Sequence, residues 1–198
     1  SPVARDHFLP YLEDDAAALC SLVRTCGGAR DLVASELTRL VCPRLSDALL
    51  GGGGGGAETS CPCFLSTNLR ELDASQDAAT GADRLTDVGL AVLARRCTNL
   101  RRLAARNCRG VRDAGTALSA CKHLEELDLS VDPGVHVGAD QGVTDASIIR
   151  LAVQHRGTLT VLKLCNAPAL TDAILVAIAF CTRLTTLRLE RCPGVGRQ

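Results

Sequence analysis

The chain has 198 residues, a formal net charge of +0, 46% hydrophobic residues and only 2% aromatic residues. Because aromatic side chains are so scarce, the core must be aliphatic, and a neutral chain has no general electrostatic attraction to nucleic acid or to a membrane surface. No apolar run is long enough to cross a bilayer as a helix. The net charge and the apolar runs together therefore predict neither nucleic-acid binding nor a membrane-spanning role.

The first fifty residues have the apolar spacing of helices. Phe8, Leu9, Leu12 and Leu19 recur at helical intervals. The stretch PRLSDALL, residues 43–50, is similar to helix starts that recur later in the chain, and we interpret it as a degenerate first repeat helix. Residues 1–50 are therefore predicted to form an N-terminal α-helical segment.

Residues 51–65, GGGGGGAETSCPCFL, begin with six consecutive glycines. A phosphate-binding loop would need a following G-K-S/T and a clean preceding strand, and the sequence has neither. Glycine runs behave as flexible chain. These residues are predicted to be a linker.

Residues 66–198 contain an internal repeat. The pattern L-x-x-L-x-L recurs in five runs: 68–75, 99–106, 123–130, 158–165 and 183–190. A second block follows each of the first four runs: LTDVGL, VRDAGT, VTDASI and LTDAIL. The first and second runs, and the third and fourth, are farther apart than the other neighbouring runs. Insertions at 77–83 and 134–142 explain these two longer spacings. Recurrence in one order and register indicates a repeat protein.

Each repeat combines two periodicities. The last two leucines of L-x-x-L-x-L are two residues apart, which turns both to one face of a short strand. Thr86, Thr144 and Thr171 each precede an aspartate and a helical apolar spacing, as expected for helix N-caps. The predicted fold is therefore α/β, with parallel strands stacked against helices. Since the chain stops after a strand, we expect it to be a piece of a longer repeat protein.

These residues resemble the cysteine-containing leucine-rich repeats common in F-box proteins. That pattern is a cysteine, two residues, L-x-x-L-x-L-x-x-C and then a threonine–aspartate helix start. The stretches 97–108 and 181–192 match it, although Ala105 replaces the last leucine in the first of them. The resemblance implies a leucine-rich-repeat solenoid over residues 66–198, with parallel β-strands on the concave face and helices on the convex face.

The N-terminal segment resembles a degenerate F-box. Residues 8–12, FLPYL, occupy the positions of the family motif I-F-x-Y-L, but the leucine–proline start and the usual tryptophan are absent. The resemblance implies that four residues bind a Skp-type adaptor: Phe8, Leu9, Leu12 and Leu19. The alternative is a helical cap that covers the first strand of the repeats.

The 11 cysteines recur in register with the repeats. Their odd number, their register and the absence of a secretory leader favour reduced, packed thiols in a cytoplasmic or nuclear protein. The only close pair, Cys61 and Cys63, has no matching Cys or His pair, so no metal site is predicted. The four histidines lie in different segments and belong to no nucleophile or metal signature, so neither an enzyme nor a cofactor is predicted.

The outward-facing positions of the strands carry alternating charge. We predict a protein-binding concave face with these residues: Arg101, Arg102, Arg106, Glu125, Glu126, Asp128, Lys163 and Arg188. Arginine is over-represented among the residues that dominate protein interfaces. The alternative is that adjacent strands neutralise each other, because neighbouring strands are only about 4.8 Å apart.

These features predict a non-enzymatic protein-interaction protein. The F-box resemblance implies a substrate receptor of a cullin-type ubiquitin ligase, in which the helices engage the Skp adaptor and the repeats hold the protein to be ubiquitinated. The alternative is a structural scaffold in a cytoskeletal or ciliary assembly that uses the same face without an adaptor.

Overall fold

A computed structural model describes residues 37–42, 45–47, 50, 65–78, 85–138 and 141–196. The predicted adaptor-binding residues Phe8, Leu9, Leu12 and Leu19, and nearly all of the predicted linker, lie outside these ranges. Leu65, at the end of that linker, is described and is buried with the core.

Six short strands form one parallel sheet whose spatial order follows the chain. The strands are β1 (Arg39–Val41), β2 (Glu71–Asp73), β3 (Arg102–Ala104), β4 (Glu126–Asp128), β5 (Val161–Lys163) and β6 (Thr186–Arg188). The central residue of each strand faces its counterpart on the next, and these residues are all leucines. The predicted α/β class with parallel strands is confirmed.

Strand β1 corrects the helical expectation for residues 39–41 of the N-terminal segment. It pairs with β2 and makes a sixth strand, where the sequence indicates five. Leu37 and Leu40 are fully buried and Cys42 is nearly so. These three residues repeat the leucine spacing with cysteine in the last place. A spacing of three between leucines suits a helix as well as a strand, so without the final leucine the pattern is ambiguous.

Four α-helices are described, each between two strands. They are α1 (Asp87–Arg96), α2 (Ala114–Ala117, continued by a 3-10 turn at Leu118–Ala120), α3 (Asp145–His155) and α4 (Ala173–Ile178). The Thr86 hydroxyl accepts a hydrogen bond from the amide of Val88, and that of Thr144 accepts one from Ser147. Two of the three predicted threonine caps are therefore confirmed.

The third predicted cap differs, because α4 begins one residue later than expected. Asp172 stands at the cap position without a side-chain cap hydrogen bond. The Thr171 hydroxyl accepts a hydrogen bond from the amide of Ala173 at 3.3 Å and donates one to Asp145 at 2.6 Å, so Thr171 makes the predicted contact from one position before the cap. The helical spacing of Leu175 and Ile178 indicates that both face the core. Ile178 is buried, but Leu175 is exposed and the neighbouring Ile174 is buried instead.

Aspartates at corresponding positions of successive repeats join one repeat to the next. Asp47 accepts hydrogen bonds from the amides of Thr86 and Gly89, and Asp87 accepts them from the amides of Arg112 and Asp113. Asp145 does the same for Thr171, and Asp172 for Gly196. The sequence predicts a role for these residues at the helix dipole; the structure adds hydrogen bonds between repeats.

The core is an aliphatic layer between the sheet and the helices, edged by cysteines. Six of the seven described cysteines are buried. The Cys121 thiol lies within hydrogen-bond distance of the Cys97 carbonyl at 3.6 Å, and burial raises the pKa of this thiol to about 12. These side chains therefore behave as small apolar groups with a weak donor, as a packed cysteine ladder requires.

The second insertion folds at the edge of the sheet where the strands end. The carbonyl of Arg109 accepts a hydrogen bond from Gly142, and the Arg109 guanidinium donates to the carbonyl of His136 at 3.2 Å. The pairing of β4 with β5 keeps the register of the other strands.

None of the described helices is long and apolar enough to cross a bilayer.

Candidate interaction surface on the sheet

The solvent-facing side of the sheet carries three rows of side chains, which we call the charged face. The first row comprises the residues just before each strand, the second row the first residue of each strand, and the third row the last residue of each strand. The central leucines of β1 to β5 point into the core and are buried. The three rows are therefore held in fixed register by the backbone ladder.

The second row is an alternating series of opposite charges. Arg39, Glu71, Arg102 and Glu126 stand opposite one another on β1 to β4. Arg102 contacts Glu71 at 2.9 Å and Glu126 at 3.0 Å, and Arg39 lies 3.8 Å from Glu71. The cations and anions of this row therefore neutralise each other.

The other predicted binding residues are also paired, with one exception. Arg101 contacts Glu125 at 2.6 Å in the first row, and Lys163 lies 3.6 Å from Asp128 in the third. Arg188 is exposed on β6 and forms no ion pair with any residue in the described ranges. The side chains of these two pairs are between 18% and 48% exposed, so each pair stabilises the fold by no more than about 1 kcal/mol.

Arg106 lies in the turn after β3 rather than in the three rows, and its partner was not foreseen from the sequence. Its guanidinium contacts Asp132 at 2.6 Å. Asn107, in a left-handed conformation at φ 60°, donates to the other oxygen of Asp132 at 2.9 Å. The hydrogen bond from Asn107 and the charge of Arg106 hold the pKa of Asp132 below its usual value. A repeated asparagine in this turn (Asn166 has φ 58°) is the signal that could have indicated this site.

Among the described residues, concave spaces lie on the charged face and at the edges of the sheet. A groove of about 170 Å³ crosses β1 to β5 between the second and third rows. A polar pocket of about 390 Å³ lies at the start of β2 and β3, and a cleft of about 860 Å³ lies between the second insertion and the turns after β5 and β6. Such spaces suit side chains of a macromolecular partner better than an enclosed small molecule.

The described histidines do not assemble into a site. His123 and His136 are exposed at different edges, whereas His155 is buried in α3 with neither ring nitrogen hydrogen-bonded. Within the described ranges, no group of three or more His, Cys, Asp or Glu residues could hold a metal ion.

Comparison with known proteins gives a likeness of fold. No protein-family model matches the chain. The fold is similar to that of a chain in the crystal structure of the Rad7 and Elc1 complex in yeast, with a TM-score of 0.58 and 17% sequence identity. The likeness covers 92% of this chain and 41% of that chain, so this chain spans about two fifths of the length of the protein it matches.

Proposed function

We propose that the chain is a non-catalytic protein-interaction module built as a leucine-rich-repeat solenoid, with the charged face as its concave binding surface. The observation that supports this most is the rigid, solvent-facing array of charges on the sheet, open along its full width. The charges of this face neutralise each other in ion pairs, and a partner with charges of one sign would have to break those pairs. The face therefore favours a partner that also presents alternating charges.

A photo-crosslinking residue placed on the charged face tests this directly. We expect Val161, in the second row on β5, to give a defined crosslinked partner in cell extract. Gln154, exposed on α3, is the matched control and should give none of that product. Equal crosslinking at both positions would contradict binding through the charged face.

We further propose that the module works as the substrate receptor of a cullin-type ubiquitin ligase in the cytoplasm or nucleus. Two observations support this: the F-box resemblance of residues 8–12, and the fold shared with a chain that is complexed with Elc1. The adaptor would bind Phe8, Leu9, Leu12 and Leu19, and the charged face would bind the substrate.

Capture by purified adaptors tests this second step. A Skp-type adaptor and Elc1 are each incubated with the parent chain, with a Leu9→Asp plus Leu12→Asp variant, and with Arg102→Gln as the control. We expect capture of the parent and the control, and loss for the double variant while its thermal unfolding matches the parent. If neither adaptor captures the parent, the ligase proposal is wrong, and the scaffold alternative takes its place.

A further inference from the structure

The polar pocket at the start of β2 and β3 differs from the rest of the charged face. Its volume is about 390 Å³, and its lining includes Thr38, Thr67, Asn99, Arg70, Arg101 and His123. All the residues that line it are polar, and none carries a carboxylate. A pocket that contains only neutral and cationic groups selects for an anion.

Two like charges are held side by side in this pocket. The carbonyl of Arg70 accepts hydrogen bonds from the amides of Arg101 and Arg102 at 2.8 and 2.9 Å, so the two first-row arginines sit on adjacent positions of a fixed ladder. Like charges opposite each other on neighbouring strands are unfavourable. In the second row the same sheet avoids this by placing Glu71 and Glu126 on either side of Arg102.

The compensation in the first row is incomplete. One nitrogen of Arg101 contacts Glu125 at 2.6 Å, which leaves the other N–H donors of its guanidinium available to a ligand. Arg70 is exposed and forms no ion pair with the described part of the chain. Two guanidinium groups therefore line the pocket, and the one carboxylate paired with them, that of Glu125, lies outside the lining on the far side of Arg101.

We propose that this pocket binds a phosphate group through Arg70 and Arg101, with the Asn99 amide and the Thr38 and Thr67 hydroxyls as further donors. A phosphate offers several oxygens to such a set of donors, and guanidinium groups bind it through paired hydrogen bonds. The group comes from a phosphorylated side chain of a partner protein or from free phosphate. The first case deepens the proposed function by naming the chemistry of the partner and rests on it; the second does not.

Titration of the 198-residue chain with inorganic phosphate, at constant ionic strength and against chloride, tests the pocket. We expect saturable binding that Arg70→Gln weakens by about tenfold or more, since a charge-assisted contact is lost. Arg188→Gln is the matched control. It makes the same change of charge on the same face, four strands away, and should alter binding by less than about twofold because salt screens that distance.

Competition separates the two sources of phosphate. Displacement of the bound phosphate by a phosphoserine peptide, but not by its unphosphorylated form, would assign the pocket to a partner's side chain. Bound phosphate that neither peptide displaces would assign the pocket to the free anion. Absence of saturable binding, or equal weakening by both substitutions, would overturn the inference. Crosslinking at Val161 that persists in that case would leave the proposed interaction function intact.

Discussion

His155 stands where Cys97, Cys121 and Cys181 stand in other repeats. In each, the carbonyl of this residue accepts a hydrogen bond from the first leucine of the following L-x-x-L-x-L run. His155 is only 1% exposed, and its two ring nitrogens have no hydrogen-bond partner. Burial, with a smaller contribution from the charge of Lys122, lowers the pKa of His155 to about 4.

This buried imidazole makes stability depend on pH. The ordinary pKa of 6.5 applies in the unfolded chain, which takes up the proton first as the pH falls. The contribution of His155 is therefore complete above pH 6.5, decreases between pH 6.5 and about 4, and is constant below that, for a total of about 3 kcal/mol. Chemical denaturation at a series of pH values measures this loss.

The substitution His155→Cys restores the residue type of the column and removes the titrating group. We expect its stability curve to be flatter than the parent curve between pH 6.5 and 4. If the two curves fall in parallel across this window, the pH dependence does not come from His155.

Sequence patterns predict the buried leucines well and the partners of charged residues poorly. Leu100, Leu103 and Leu127 are buried as predicted, because strand spacing alone decides which side they face. Whether Arg102 is available to a partner depends on the side chains of Glu71 and Glu126, and these come from runs 31 and 24 residues away. The register between runs is not visible in any one of them.

Helices α2 and α3 approach each other closely at Gly115. Its amide donates to the hydroxyl of Ser147 at 3.2 Å, and a Cβ added at Gly115 would lie 2.3 Å from the backbone carbonyl oxygen of Ser147. Because that oxygen belongs to the backbone of α3, it cannot move without shifting the helix. The glycine therefore sets the distance between two successive helices.

The substitution Gly115→Ala should destabilise the fold by about 1–3 kcal/mol, because overpacking against a rigid neighbour exceeds the gain in helix propensity. Thermal or urea unfolding measures the change. Gly157→Ala is the matched control: an added Cβ would meet nothing within 4 Å there, and the expected change is within about 0.5 kcal/mol. Equal effects at the two positions would contradict the close helix contact.

Predictability also varies among the elements. The starts of α1 and α3 follow from a threonine cap, because capping depends on neighbouring residues alone. Strand β1 and the outward turn of Leu175 depend on what packs against them, so local spacing does not determine them. The polar pocket depends on side chains from three repeats brought together, and no single motif contains it.

Across the whole molecule, each interior strand is held by the strand before it and the strand after it. Leu103 on β3 lies between Leu72 and Leu127, and all three are buried. Among the described strands, β6 pairs with β5 alone, and its Leu187 is 38% exposed. A substitution that disrupts an interior strand therefore removes support from both neighbouring strands.

The substitution Leu103→Asp should cost more than about 4 kcal/mol, because it places an unpaired charge in the core, and most of the cooperative unfolding transition should be lost. Circular dichroism during thermal unfolding shows this. The neighbouring Arg102→Gln should change stability by no more than about 1 kcal/mol, since its ion pairs are half-exposed. A Leu103→Asp variant that melts like the parent would show that Leu103 is not between the strands.

Because the second insertion lies outside the sheet, its length can change during evolution without changing the pairing of the strands. Arg101 and its partner Glu125 are 24 residues apart, whereas the next pair in the same row, Glu125 and Thr160, are 35 residues apart. Both steps arrive at the same register. Loop length at this edge and charge on the strands can therefore evolve separately, and a peptide tag inserted near Gly134 should leave the proposed binding through the charged face unchanged.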